Sequence, residues 1–210
     1  MQTIVVANPK GGSGKTTLAT NVAGWLAGKK KEVVLRDLDP QRSATEWLER
    51  RPPLFPAIGG LVRDGKGKEP EHDWRVIDTP AGLHGEDLRE AVRRADVMLV
   101  PLTPSAFDMG ATRHFLSAIQ EHKAIKKGDL ALGIVAMRVD PRTHSAAELD
   151  AFLKAFDFPV VTHLRDTQVY VHCARDGASV FDLPRSRGEQ DWEQWKPLTR
   201  WIARHTARKG

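Results

Sequence analysis

The chain has 210 residues, of which 40% are hydrophobic and 28% charged, and its 32 Lys and Arg against 27 Asp and Glu leave a formal charge of +5. That balance is the composition of a globular protein; no apolar stretch approaches the length of a membrane span, and a lone cysteine, Cys173, excludes an internal disulfide or an iron–sulfur cluster built within one copy. The mild positive charge permits nucleic acid or an anionic surface as a partner without requiring either.

The first apolar run, Thr3 to Ala7, reads as a strand, and it passes directly into Asn8-Pro9-Lys10-Gly11-Gly12-Ser13-Gly14-Lys15-Thr16-Thr17. A helical pattern follows from Thr17 to Lys29, with Leu18, Val22 and Leu26 on one face. Further short, almost continuously apolar runs occur at Val33 to Leu35, Val76-Ile77, Val97 to Val100, Leu130 to Met137 and Pro159 to Thr162. Helical patterns at Glu86 to Ala95, Thr112 to His122 and Ala146 to Phe156 separate the later ones. Strands apolar on both faces and alternating with helices predict an α/β fold, a mostly parallel twisted sheet with helices on both faces, in one domain over residues 1–210. The Pro- and Gly-rich segment Arg51 to Asp73 predicts a loop, with a short edge strand near Leu61-Val62. The spacing of Trp192, Trp195, Leu198, Trp201 and Ile202 predicts a C-terminal helix packing one face. With no leader pattern ahead of the first strand, a cytoplasmic location is expected.

The strand, glycine loop and helix at the start form a phosphate cradle. Gly11, Gly12 and Gly14 let backbone N–H groups turn inward, Lys15 reaches terminal phosphate oxygens, and the Thr16 hydroxyl can ligate Mg²⁺. The expected ligand is therefore a nucleoside triphosphate. Carboxylates stand at two later strand ends, where a parallel sheet opens its ligand crevice: Asp37 and Asp39 in Asp37-Leu38-Asp39-Pro40-Gln41, and Asp78 in Val76-Ile77-Asp78-Thr79-Pro80. Asp78 has the form of the acid that holds the Mg²⁺ shell completed by Thr16. The Asp-Pro pair at Asp39 also suits a simple turn.

Pro9 stands where the common phosphate loop has its first glycine, and an extra lysine, Lys10, lies inside the loop. Lys10-Gly11-Gly12-Ser13-Gly14-Lys15-Thr16 resembles the deviant Walker A box of the ParA/MinD family of P-loop ATPases, and the chain is most similar to its short plasmid-type ParA members. The resemblance runs from Thr3 to about Phe181. It implies that ATP with Mg²⁺ binds at Lys10, Gly11, Gly12, Ser13, Gly14, Lys15, Thr16 and Thr17, and that Lys10 contacts phosphates across an ATP-sandwich homodimer. It further implies that Asp39 orients the attacking water while Asp37 supports the metal shell with Thr16 and Asp78, and that Arg138 and Pro141 lie at the base. Thr162 to Arg165, Tyr170, Gly177 and Ser179 to Phe181 are similar to the closing segment that relatives place beside the adenine and, through an arginine, near DNA. The implied function is positioning or segregating a cargo on nonspecific duplex DNA, with a ParB-like or cargo-adaptor protein stimulating hydrolysis and the ATP-bound dimer associated with the nucleoid. Arg165, Arg185, Arg187, Arg200 and Arg204 are the expected DNA contacts.

A second reading is a MinD-like ATPase that cycles on a membrane through an amphipathic C-terminal helix, for which Trp195, Leu198, Trp201 and Ile202 among basic residues are the material. A metabolic or reductase relative is a third; the lone cysteine weighs against an iron–sulfur ATPase, and no substrate pocket is marked for a ligase.

Overall fold

The computed structural model describes residues 1–62, 71–104, 106–140 and 142–207. Its strands are β1 (Gln2–Val6), β2 (Val33–Asp37), β3 (Gly59–Val62), β4 (Trp74–Asp78), β5 (Val97–Leu102), β6 (Ala131–Ala136) and β7 (Val160–His163). They form one sheet in the order β3-β2-β4-β1-β5-β6-β7, and every pairing is parallel. The expected α/β architecture is therefore present. The helices are α1 (Lys15–Gly28), α2 (Ser43–Glu49), α3 (Gly85–Arg94), α4 (Ala106–Gln120), α5 (Lys123–Lys126), α6 (His144–Leu153), α7 (Gln168–Arg175) and α8 (Arg185–Thr206).

The alternation of side chains along the strands divides the core into two layers. On β1, Ile4 and Val6 face a cluster with Leu18, Val22 and Leu26 of α1, Trp47 of α2 and Trp195, Leu198 and Ile202 of α8. Val5 and Ala7 face the other side, with Leu88 and Val92 of α3, Leu116 and Ile119 of α4 and Leu149 of α6. Helices thus cover both faces, as the continuously apolar strands require.

This topology gathers the site. From β1 the chain passes to β2 on one side of the sheet and later to β5 on the other, so a crevice opens at the carboxyl end of β1. Val6 is in register with Asp78, and Asp78 with Asp37, which brings the loop and both strand-end acids to one edge.

The edge strand expected near Leu61-Val62 is present as β3, which pairs with β2, while residues 63–70 of the expected loop lie outside the described residues. Other elements differ from the sequence pattern. Helices α2 and α7 have no counterpart in that pattern. The helix expected from Thr112 starts earlier, at Ala106. Pro141, an expected base contact, lies outside the described residues.

Candidate nucleotide site

The loop between β1 and α1 is held at both flanks. Asn8, fully buried, donates from Nδ2 to the Pro101 carbonyl (2.7 Å) and accepts the Lys10 N–H at Oδ1 (2.8 Å). The Gly82 N–H donates to the Pro9 carbonyl (2.7 Å), which ties the segment after β4 to the loop. Gly12 and Gly14 take φ of 74° and 92°, and Gly14 caps α1 in that left-handed conformation. A Cβ on Gly14 would meet the Met137 methyl at 3.0 Å.

Lys15 opens α1 and is buried, with its ammonium donating to the Lys10 carbonyl at 2.8 Å. Burial pulls its pKa down, opposed by the Asp78 and Asp39 carboxylates. Phosphate oxygens are the natural substitute for that carbonyl. Lys10 is half-buried, Ser13 is buried with its hydroxyl 3.2 Å from the Lys10 carbonyl, and Thr17 lies in the first turn of α1.

Asp78 is fully buried and accepts the Thr16 hydroxyl at Oδ2 (2.7 Å), while its buried Oδ1 has no hydrogen-bond partner among the described residues. Burial raises its pKa to about 7, against the Thr16 hydrogen bond that lowers it; the neighbouring Asp37 raises it further. A buried carboxylate oxygen lacking a donor, beside a threonine hydroxyl at a phosphate loop, suits a hydrated Mg²⁺. Thr16, Asp78 and Asp37 are thereby brought together, but the Asp37 oxygens are already engaged: Oδ1 accepts the Asp39 N–H (3.0 Å), and Oδ2 accepts the Thr45 N–H and hydroxyl (2.8 and 3.0 Å). Asp39 follows, half-buried, with its Oδ1 accepting the Gln41 N–H at 2.9 Å. Arg138 is exposed at the end of β6 with φ of 55°, next to the Met137 that packs under Gly14.

The basic residues fare differently. Arg165 turns inward, with Nε and Nη2 on the two oxygens of Asp191 (2.9 and 3.1 Å), a carboxylate that is itself fully buried. Arg185 pairs with Glu189 on the surface of α8, and Arg187, Arg200 and Arg204 are exposed. The apolar face of α8 is spent inside the protein: Trp195, Leu198 and Ile202 are fully buried, and Trp195 donates to the Tyr170 hydroxyl at 2.9 Å. Among the described residues no helix is long and apolar enough to cross a membrane.

Asn8 and Thr45 are site residues that sequence reasoning missed. The available signal for Asn8 was a polar side chain between a core strand and a glycine loop; nothing local marked Thr45.

Residues 4–179 match the family described as CobQ/CobB/MinD/ParA nucleotide binding domain. The chain is 29% identical over 199 residues to the Maintenance of carboxysome distribution protein A of Halothiobacillus neapolitanus, covering 90% of this chain and 91% of that protein. It is 30% identical over 161 residues to Protein ParA of Rhizobium radiobacter, covering 73% and 72%. Among solved structures, apo McdA of Cyanthece shares the fold with a TM-score of 0.73 at 19% identity, over 94% of this chain and 99% of that one.

Proposed function

The chain belongs to the CobQ/CobB/MinD/ParA nucleotide-binding family, and from that premise we propose that this ATPase positions or segregates a cargo on DNA. In this reading the loop from Lys10 to Thr17 cradles the phosphates of ATP, with Lys15 moving from the Lys10 carbonyl to the terminal phosphate oxygens. Thr16 and Asp78 hold the metal shell, and Asp37 adds negative charge beside them. Mg²⁺ there supplies neutralisation of charge on the transferred phosphoryl group. Asp39 orients the attacking water, and Arg138 borders the base. Lys10 reaches the nucleotide of a second copy, so ATP locks a homodimer and hydrolysis stimulated by an activating partner releases it.

The disposition of the two loop lysines is the observation that carries this reading: Lys15 is buried inside its own loop, while Lys10 is half-buried at the rim. The ATP-bound dimer would then hold duplex DNA without sequence preference and associate with the nucleoid. Its contacts come from Arg187, Arg200 and Arg204, with Arg185 close by and Arg165 committed to Asp191. The cargo is a DNA molecule or a protein assembly, in keeping with the names of the relatives.

Membrane cycling through α8 is the weaker reading, because presenting Trp195, Leu198 and Ile202 to lipid would empty the core of one sheet face. The test offers the ATP-loaded Asp39→Ala protein duplex DNA and, separately, anionic liposomes. We expect ATP-dependent DNA binding that weakens steeply with salt. Liposome binding without DNA binding at any salt would overturn the proposal.

A further inference from the structure

We infer that Thr45 is a positioning residue for ATP hydrolysis, acting on Asp39 through Asp37; the inference rests on the role proposed for Asp39. The Asp37 carboxylate is buried and binds on both sides. Its Oδ1 takes the Asp39 N–H at 3.0 Å, and its Oδ2 takes both the backbone N–H and the hydroxyl of Thr45 at 2.8 and 3.0 Å. A carboxylate held by charge-assisted hydrogen bonds at both oxygens has little freedom to swing, so the backbone at Asp39 inherits the orientation that Thr45 imposes.

Thr45 has a fixed place from which to impose it. It sits on α2, only seven residues long, whose register is set from outside the helix. Trp47, buried, donates from its indole N–H to the Ala178 carbonyl at 3.0 Å. Just past the helix, Arg51 spans the Asp182 carboxylate (3.0 and 3.1 Å) and the Gly177 carbonyl (3.1 Å). Both partners of that ion pair are almost wholly buried, at 5% and 3% side-chain exposure, so the link is stiff. Residues 177–182 in turn bind α1, where the Asn21 amide oxygen takes the Val180 N–H at 2.8 Å. A chain of contacts therefore runs from α1, which begins with Lys15, through residues 177–182 and α2 to Thr45, Asp37 and Asp39. At Thr45 the hydroxyl can be deleted while the backbone N–H bond to Asp37 is kept.

The experiment uses the full chain with Thr45→Val, which deletes the hydroxyl and keeps the N–H bond, and Thr45→Ser, which keeps both. Turnover of ATP and the dissociation constant for Mg-ATP are measured for each. Losing a hydrogen bond to a charged group at the pivot should lower kcat by about tenfold, with affinity within about twofold of the parent, and Ser should restore turnover. A merely structural role would instead weaken Mg-ATP binding in step with turnover, and Thr45→Ser would not separate the two. Should Thr45→Val misfold, Thr45→Ala lacks the same hydroxyl and carries the same expectations. Parental turnover in Thr45→Val beside an inactive Asp39→Ala would overturn this inference alone, as would an affinity loss that matches the fall in kcat. Parental turnover in Asp39→Ala would bring down the Asp39 role itself and this route with it.

Discussion

Replacing Asp78 by Asn should stabilise the nucleotide-free protein at alkaline pH while removing its use for the metal. Asp78 is fully buried, among the described residues one oxygen has the Thr16 hydroxyl and the other no partner, and burial raises its pKa from 3.8 to about 7. The native state thus holds this proton more tightly than the unfolded chain does. Unfolding between about pH 4 and pH 7 releases the proton, and stability falls as pH rises through that window. At roughly 1.4 kcal/mol per pH unit, ionised Asp78 costs the fold up to about 4 kcal/mol at pH 8 relative to a group that stays neutral. An amide of the same shape recovers part of that, about 2 kcal/mol, because it must still bury polar atoms. For a chain of this size the gain is about 4–8 °C in the melting temperature at pH 8. At pH 5 Asp78 is protonated in the parent too, and the difference should shrink to about 2 °C or less. Thermal unfolding followed by circular dichroism at the two pH values reads this directly. A variant no more stable than the parent at pH 8, or a gain equal at both pH values, would refute the uncompensated buried charge.

Lys15→Ala should abolish ATP binding by calorimetry, because the remaining backbone donors act without their cation; parental affinity would disprove the phosphate loop. Arg165→Ala strands the buried Asp191 carboxylate and should cost roughly 3–5 kcal/mol in urea unfolding; a loss of DNA affinity without any loss of stability would return Arg165 to the surface contacts. Replacing Arg200 or Arg204 by Ala should reduce the salt slope of DNA binding by about one unit and leave the basal ATPase rate unchanged, and an unchanged slope would remove that residue from the interface. Gly14→Ala should be strongly destabilising or inactive, since the left-handed backbone at φ of 92° and the Met137 methyl 3.0 Å from the new Cβ oppose it together.

What could be read from the sequence followed the reach of each interaction. The phosphate loop was legible because glycine spacing and two lysines specify it locally, and the strand-end acids because a parallel sheet delivers them to one edge, as the Val6, Asp78 and Asp37 register shows. Helix α2 was not legible: seven residues, a left-handed Arg42 in place of a capping side chain, and a position set by Trp47 and Arg51 against residues about 130 along the chain. The inward turn of Arg165 was hidden for the same reason, its partner Asp191 lying 26 residues away on α8. From sequence alone Arg165 reads as free because its carboxylate is simply distant in the chain. The C-terminal helix was read correctly as a packing helix from its Trp and Leu spacing, and the structure buries that face on the sheet.

Sedimentation of Asp39→Ala with ATP and Mg²⁺, with and without Lys10→Ala and in the presence of duplex DNA, tests the nucleotide-locked dimer most directly. The account predicts a dimer that forms only with ATP and carries DNA, and a monomer that still binds ATP but no longer retains DNA once Lys10 is lost. Dimers that persist without Lys10, or DNA bound equally well by the monomer, would contradict it.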